Sequence, residues 1–136
     1  MPAPSRSLLP AATAVIAALV AGGLSSVVGT MLHAQLSYAG DVPVPWGAVL
    51  ALVFTGSMLV LAAAYSERLW AAALGGVTAY VLTAWTALDT RNRLIVSWAN
   101  AEQLPGPALA GALWMYGIVA ATVVALFIAA RVLRRR

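Results

Sequence analysis

Four long apolar stretches, each broken off by charge, proline or glycine, dominate the chain. They run from about Leu8 to Leu32, Pro45 to Ala64, Arg68 to Leu88 and Pro107 to Ala130. A helix needs about 20 predominantly apolar residues to cross a hydrocarbon core about 30 Å thick, and each stretch has that length. Backbone polar groups in lipid must be satisfied internally, which leaves helices or closed barrels as spanning structures. Barrel strands alternate apolar and polar residues over segments of about 10 residues. These runs are continuous instead, so the pattern predicts an all-α integral membrane bundle of four transmembrane helices, with residues 1–136 as one domain.

The connections follow from what interrupts the runs. Pro10, Pro45 and Pro107 fall near helix starts, where a missing N–H costs nothing. Only Tyr65, Ser66 and Glu67 separate the second run from the third, which requires an antiparallel pair. Ser66 is placed to cap the third helix, with Glu67 beside its positive end. Between the first two runs, Tyr38 to Pro43 carries the Gly and Asp of a short turn-forming loop. The longest connection, residues 89–106, has Arg91, Leu94, Ile95, Trp98 and Ala101 at spacings that predict a short helix lying on the membrane surface. Asp89 and Arg93 stand four apart and would pair if the third helix ran on, a contact of little energetic weight when exposed.

Charge then orients the bundle. Arg6, Arg68, Arg131, Arg134, Arg135 and Arg136 fall on one side, and Arg91 and Arg93 on the other. The positive-inside rule therefore predicts a multi-pass protein of the cell membrane with both termini cytoplasmic. Tyr38, Trp46, Trp85, Trp98 and Trp114 gather at the expected outer boundary, and Tyr65 and Trp70 at the inner one, as an aromatic belt would. The N-terminal run reads as a retained span. Its apolar stretch exceeds the roughly 7–15 residues of a signal peptide, and Leu32 stands where a cleavage site wants a small residue.

Composition narrows the functional classes. The chain has 136 residues, of which 62% are hydrophobic and 9% charged, and it carries a net charge of +4 supplied entirely by Arg. A soluble domain is about 25% charged. The absence of cysteine removes disulfides, thiolate metal sites and palmitoylation. The basic C-terminus suits an anionic membrane surface, and no aromatic or basic reading surface for nucleic acid accompanies it. Every ionisable residue falls at or beyond an expected helix end, whereas proton relays and ion-coupled transporters place charges at membrane depth. No motif for catalysis, cofactor or metal binding is present, so no catalytic residue, cofactor or metal ligand is expected.

What remains is helix packing and one polar site. Small residues recur at helical spacing as Gly22, Ser26 and Gly29 on the first helix, Gly75, Ala79 and Thr83 on the third, and Gly117, Ala121 and Ala125 on the fourth. Lipid offers no hydrophobic drive for association, so small side chains that let backbones approach mark packing faces. Leu74, Val77, Val81 and Trp85 occupy the opposite side of the third helix. Thr78, Thr83 and Thr86 make that helix the most polar, with hydroxyls expected to bond to carbonyls of their own helix. His33, the single histidine, is a possible polar site at the outer end of the first helix. Its expected setting is interfacial, satisfied by a neighbouring helix or by head groups and dispensable for folding; a pH-sensitive or quinone-facing role is the alternative.

Gly29-Thr30-Met31-Leu32-His33, followed by Pro45-Trp46-Gly47 and a long apolar run, resembles a group of small four-helix membrane proteins of high-GC actinobacteria. That resemblance implies an architecture and no activity. Their acidic, Gly-containing turn after the third helix is replaced here by Asp89-Thr90-Arg91-Asn92-Arg93. The small multidrug resistance exporters are similar in length and helix count, but their hallmark Glu within the first helix has no counterpart. Phage holins are similar in size and basic tail. The resulting expectation is a non-enzymatic accessory or assembly subunit of a larger membrane complex. A small oligomeric channel or facilitator is the alternative, and an enzyme fragment using lipid or quinone near His33 is a weaker third. Lipid, a larger membrane complex or further copies of the chain are the expected partners.

Overall fold

A computed structural model describes residues 11–89, 91 and 94–135. Four helices form: α1 (Ala11–His33), α2 (Trp46–Ser66), α3 (Leu69–Leu88) and α4 (Pro105–Arg134). Each is long and apolar enough to cross a membrane. Their bounds shift the expected spans slightly, most at α4, which starts two residues earlier and runs four residues further. At about 1.5 Å per residue its 30 residues reach about 45 Å, well beyond the ~30 Å of a hydrocarbon core. Its last turn carries Arg131 and Arg134, with Arg135 following as the C-cap. Pro105 and Pro107 both sit in its first turn, where the absent N–H groups would have had no helical partner.

The two helices joined by the shortest turn, α2 and α3, are not the broadest spatial neighbours; each packs more extensively on α1. α1 lies between α2 and α3, α4 rests on α2 and α3, and α1 and α4 stand on a diagonal. An ideal Cβ on Gly22 would meet Gly75 and Thr78, one on Gly75 would meet Ala18, and Ser26 bonds to Thr83, so α1 and α3 run parallel in a matched register. Leu52 against Gly117 and the joint packing of Leu59, Ala63, Ala125 and Ala129 do the same for α2 and α4. The glycines and alanines explain the choice. A Cβ on Gly22 would clash with the Gly75 carbonyl oxygen, and one on Gly75 would stand 2.7 Å from Leu59 Cδ2. Only backbones stripped of side chains pack this closely, and dispersion between them replaces the missing hydrophobic drive.

The α2–α3 turn corrects the expected cap. Ser66 is the last residue of α2, and its hydroxyl donates to the Ala62 carbonyl at 2.7 Å rather than capping α3. Glu67 turns the chain in the left-handed region at φ 54°, and the Arg68 N–H donates to the Ala63 carbonyl at 3.1 Å. This is the glycine-favouring end of a helix, occupied here by a side chain.

Two connections also differ from expectation. The segment after α1 is a hairpin, β1 (Ser37–Ala39) paired antiparallel with β2 (Val42–Val44), Tyr38 facing Pro43. Gly40 takes φ 66° at the first of two loop positions, which a tight hairpin demands. Residues 94–104 form no surface helix; a single 3-10 turn, Trp98–Asn100, is capped by the Ser97 hydroxyl accepting from the Ala99 N–H at 3.3 Å. Ile95 and Val96 explain the difference. Ile95 is buried in the bundle end against Trp114, and the Val96 carbonyl lies over Gly111, so the segment is held down by side-chain burial rather than by helical periodicity. Arg93, and with it the expected pair with Asp89, lies outside the described residues; Asp89 accepts from the Arg91 N–H at 2.9 Å.

Candidate functional site

The inward face of α1 changes character along its length. Ala14, Ala18 and Ala21 give way to Gly22, Ser25, Ser26, Gly29, Thr30 and His33, all buried. Hydroxyls and an imidazole therefore collect inside the bundle at the end that carries the hairpin. Two separate hydrogen-bonded groups there tie α1 to α3 and to α4. The Ser26 and Thr83 hydroxyls lie 3.1 Å apart. The Thr83 carbonyl accepts from the Thr86 hydroxyl at 2.8 Å. Across the diagonal, Trp114 Nε1 donates to the Thr30 hydroxyl at 3.3 Å, and His33 Nδ1 donates to the Thr30 carbonyl. A carbonyl only accepts, so Nδ1 carries the proton, and in the neutral ring Nε2 is an acceptor. The imidazole is stacked near-parallel to the Trp114 indole, with ring centroids 6.4 Å apart.

Trp114 organises this site and does not belong to an outer aromatic belt. It is fully buried, with Ala51, Ala79, Ile95 and Ile118 around it. An ideal Cβ on Gly29 would fall onto its six-membered ring, so the absence of a side chain there is what admits the indole. Its own helix foretold this orientation. Gly111, Trp114, Ile118, Ala125 and Ala129 recur at spacings of three, four or seven residues and share the buried face. Tyr38, Trp46, Trp85 and Trp98 are exposed, as belt residues would be.

His33 also departs from expectation. It retains 2% of its surface, beyond the reach of head groups, and its hydrogen bond is made to its own helix. The Trp114 indole lies against it, and at the same end of the bundle Tyr38 and Pro43 approach Gly106 while Ile95 approaches Gly111.

The expected packing residues are distributed as follows. Gly22, Ser26 and Gly29 face α3 and α4, and Gly75, Ala79 and Thr83 are buried on the other side of the α1–α3 contact. Val77, Val81 and Trp85 are exposed on the far side of α3, whereas Leu74, expected with them, is half-buried against Ala14, Ala18 and Ala71 because it lies beside the α1 contact. On α4 the stripe divides. Ala125 is buried and Gly117 meets Leu52, whereas Ala121 lines an open groove between α2 and α4. Thr78, like Thr86, donates to a carbonyl of its own helix, at 2.8 Å to Leu74, while Thr83 pairs across to α1. Sequence reasoning missed Thr30, and it missed Ser25, whose fully buried hydroxyl has no partner.

The chemistry available is that of a closed polar joint. Interhelical hydrogen bonds in membranes contribute on average about 0.6 kcal/mol each. Their larger effect is rotational, because each bond forms only with its helix face turned inward. Among the described residues, no three His, Asp or Glu side chains converge as a ligand group. No protein-family model, curated protein or solved structure matches the chain.

Proposed function

We propose that this chain is a non-enzymatic protein of the cell membrane, with both termini cytoplasmic, that acts by binding as an accessory or assembly subunit of a larger membrane complex. The sealed interior carries this reading. Where a conduction path or substrate pocket would open between the helices, Trp114 fills the space, and the Thr30, Ser26 and Thr83 hydroxyls bond to other side chains of the bundle. The chain's open surfaces lie on its flanks, toward lipid and other membrane proteins. A sealed bundle also disfavours conduction through a single chain. The arginine asymmetry supports the sidedness, since Arg131, Arg134 and Arg135 extend from the end opposite the hairpin.

Affinity purification of the tagged chain from its native membrane in mild detergent tests the role. One membrane protein is expected to copurify in constant proportion. Recovery of the chain as a homo-oligomer that passes ions after reconstitution into vesicles would overturn it. Single cysteines placed at Glu67, exposed in the α2–α3 turn, and at Asn100 test the sidedness. An impermeant reagent added to intact cells is expected to label position 100 and to reach position 67 only after the membrane is opened.

A further inference from the structure

An open apolar groove of about 730 Å³ lies between α2 and α4, walled by Val53, Gly56 and Val60 on one side and Ala121, Val124 and Ile128 on the other. Gly56 keeps part of it open, since an ideal Cβ there would meet nothing within 4 Å. At 1.5 Å per residue the groove runs ~17 Å along α4, from Gly117 to Ile128, and ~22 Å along α2, from Val49 to Ala64. Both lengths exceed the ~15 Å depth of one leaflet and fall short of the ~30 Å that a partner's spanning helix would present.

The groove ends at a charged feature. Ile128 also lines a second concavity, of about 280 Å³, whose other walls are Arg131, Val132 and Arg135. Arg131 and Arg135 are four residues apart, hence on one face of α4, and both are exposed. The level is right for a lipid head group. Ala63 and Ala129 pack together, α2 stops at Ser66, and α4 continues to Arg134, so the two guanidinium groups stand just beyond the apolar layer. An apolar channel the length of an extended acyl chain, leading to paired guanidinium groups, matches one molecule in shape and charge. Guanidinium groups are planar donors suited to phosphate oxygens.

We propose that the α2–α4 groove and the Arg131–Arg135 face form a binding site for one anionic glycerophospholipid, an acyl chain in the groove and its phosphate between the two arginines. The site goes beyond the accessory role and does not depend on which side of the membrane α4 ends.

Native mass spectrometry and thermal shift of the full chain in detergent test it, with phosphatidylglycerol, phosphatidylcholine and glycerol 3-phosphate added in turn. Phosphatidylglycerol is expected to remain bound and to raise Tm more than phosphatidylcholine; glycerol 3-phosphate, which lacks acyl chains, is expected to do neither. Arg131→Gln with Arg135→Gln should weaken phosphatidylglycerol binding about 25-fold, taking roughly 5-fold per charge near a membrane surface. Arg134→Gln, on a different face, should leave it within about 2-fold of the starting affinity on the same scale. Gly56→Leu fills the groove without a clash, so it should weaken binding while the unliganded Tm stays level. Equal affinity for the two lipids, an equal loss in Arg134→Gln, a response to glycerol 3-phosphate, or unchanged binding in Gly56→Leu would each overturn the assignment.

Discussion

Adding a methyl group at Gly29 should force the bundle open at Trp114, and shrinking Trp114 should accept it. In the structure the methyl carbon of Gly29→Ala would clash with the Trp114 ring atoms Cζ2 and Cη2. The indole has no room to withdraw, because Ala51, Ala79 and Ile118 enclose it and its N–H is bonded to Thr30. Overpacking of a filled core costs about 1–3 kcal/mol. Trp114→Phe vacates that same volume. It stops short of the ~3–5 kcal/mol of a Trp→Ala truncation, and we take about 2 kcal/mol, of which about 0.6 is the hydrogen bond. Independent effects would sum to about 4 kcal/mol in the double variant. If the methyl enters the vacated space, the double variant should lose only about 2–3 kcal/mol, a coupling of at least ~1 kcal/mol. Far-UV circular dichroism of the four proteins, titrated from mild detergent into dodecyl sulfate, measures the cycle. Additivity within about 0.5 kcal/mol would refute the close approach of α1 to the indole.

Other substitutions test separate parts of the same reasoning. Glu67→Gly should raise stability by about 1 kcal/mol, because the left-handed backbone there costs a side chain about 1–2 kcal/mol; a fall in Tm would count against that turn. Gly75→Leu should cost at least ~1–3 kcal/mol, whereas Val77→Leu on the exposed side of α3 should stay within about 0.5 kcal/mol; the reverse order would mean that α3 is rotated. Ser25→Ala removes an unpartnered buried hydroxyl and should be neutral or stabilising, while Ser26→Ala should lose about 0.6 kcal/mol, so matching Tm losses for the two would dissolve the distinction. His33→Gln gives up the stacked ring and should lower Tm by the equivalent of about 1–3 kcal/mol; an unchanged Tm in detergent would return His33 to the periphery.

Helix number and approximate span were legible because they depend on one-dimensional quantities: the length of an apolar run and the residues that interrupt it. The small-residue stripes were legible for the same reason, since Gly22, Gly75 and Thr83 are buried wherever spacing puts them on a shared face. Pairing was not. The tight turn at Glu67 joins α2 to α3, yet α1 makes the broader contacts with both, because Gly22 and Gly75 permit an approach that loop length does not encode. Loop structure was misread where helical spacing was weighed without burial. Ile95 satisfied the pattern of a surface helix, but its side chain had a cavity to fill above Gly111.

The misreading of Trp114 and His33 has a common physical origin. Trp and His near a span end are ordinarily placed at the interface, where an amphipathic ring meets both water and lipid. That prior assumes that the helix end is wet. Here the hairpin and the 94–104 segment close over the bundle, with Tyr38 and Pro43 against Gly106 and Ile95 against Gly111, so the same depth along the helix becomes interior. Once closed, the rings must find partners within the protein. Gly29 provides the opening for the indole, and Thr30 provides both a hydroxyl for the indole N–H and a carbonyl for the imidazole. One residue thus satisfies two rings from different helices, tying the end of α1 to α4 across a diagonal where the helices otherwise barely meet. Removing the Thr30 hydroxyl while keeping its shape, as Thr30→Val does, should therefore leave the indole N–H buried without a partner, at a cost of about 1–3 kcal/mol. Trp114→Phe made in the same background has no N–H to orphan. Thr30→Val should then cost markedly less with Phe at position 114 than with Trp. Equal costs in the two backgrounds would show that the 3.3 Å contact is proximity and not a hydrogen bond.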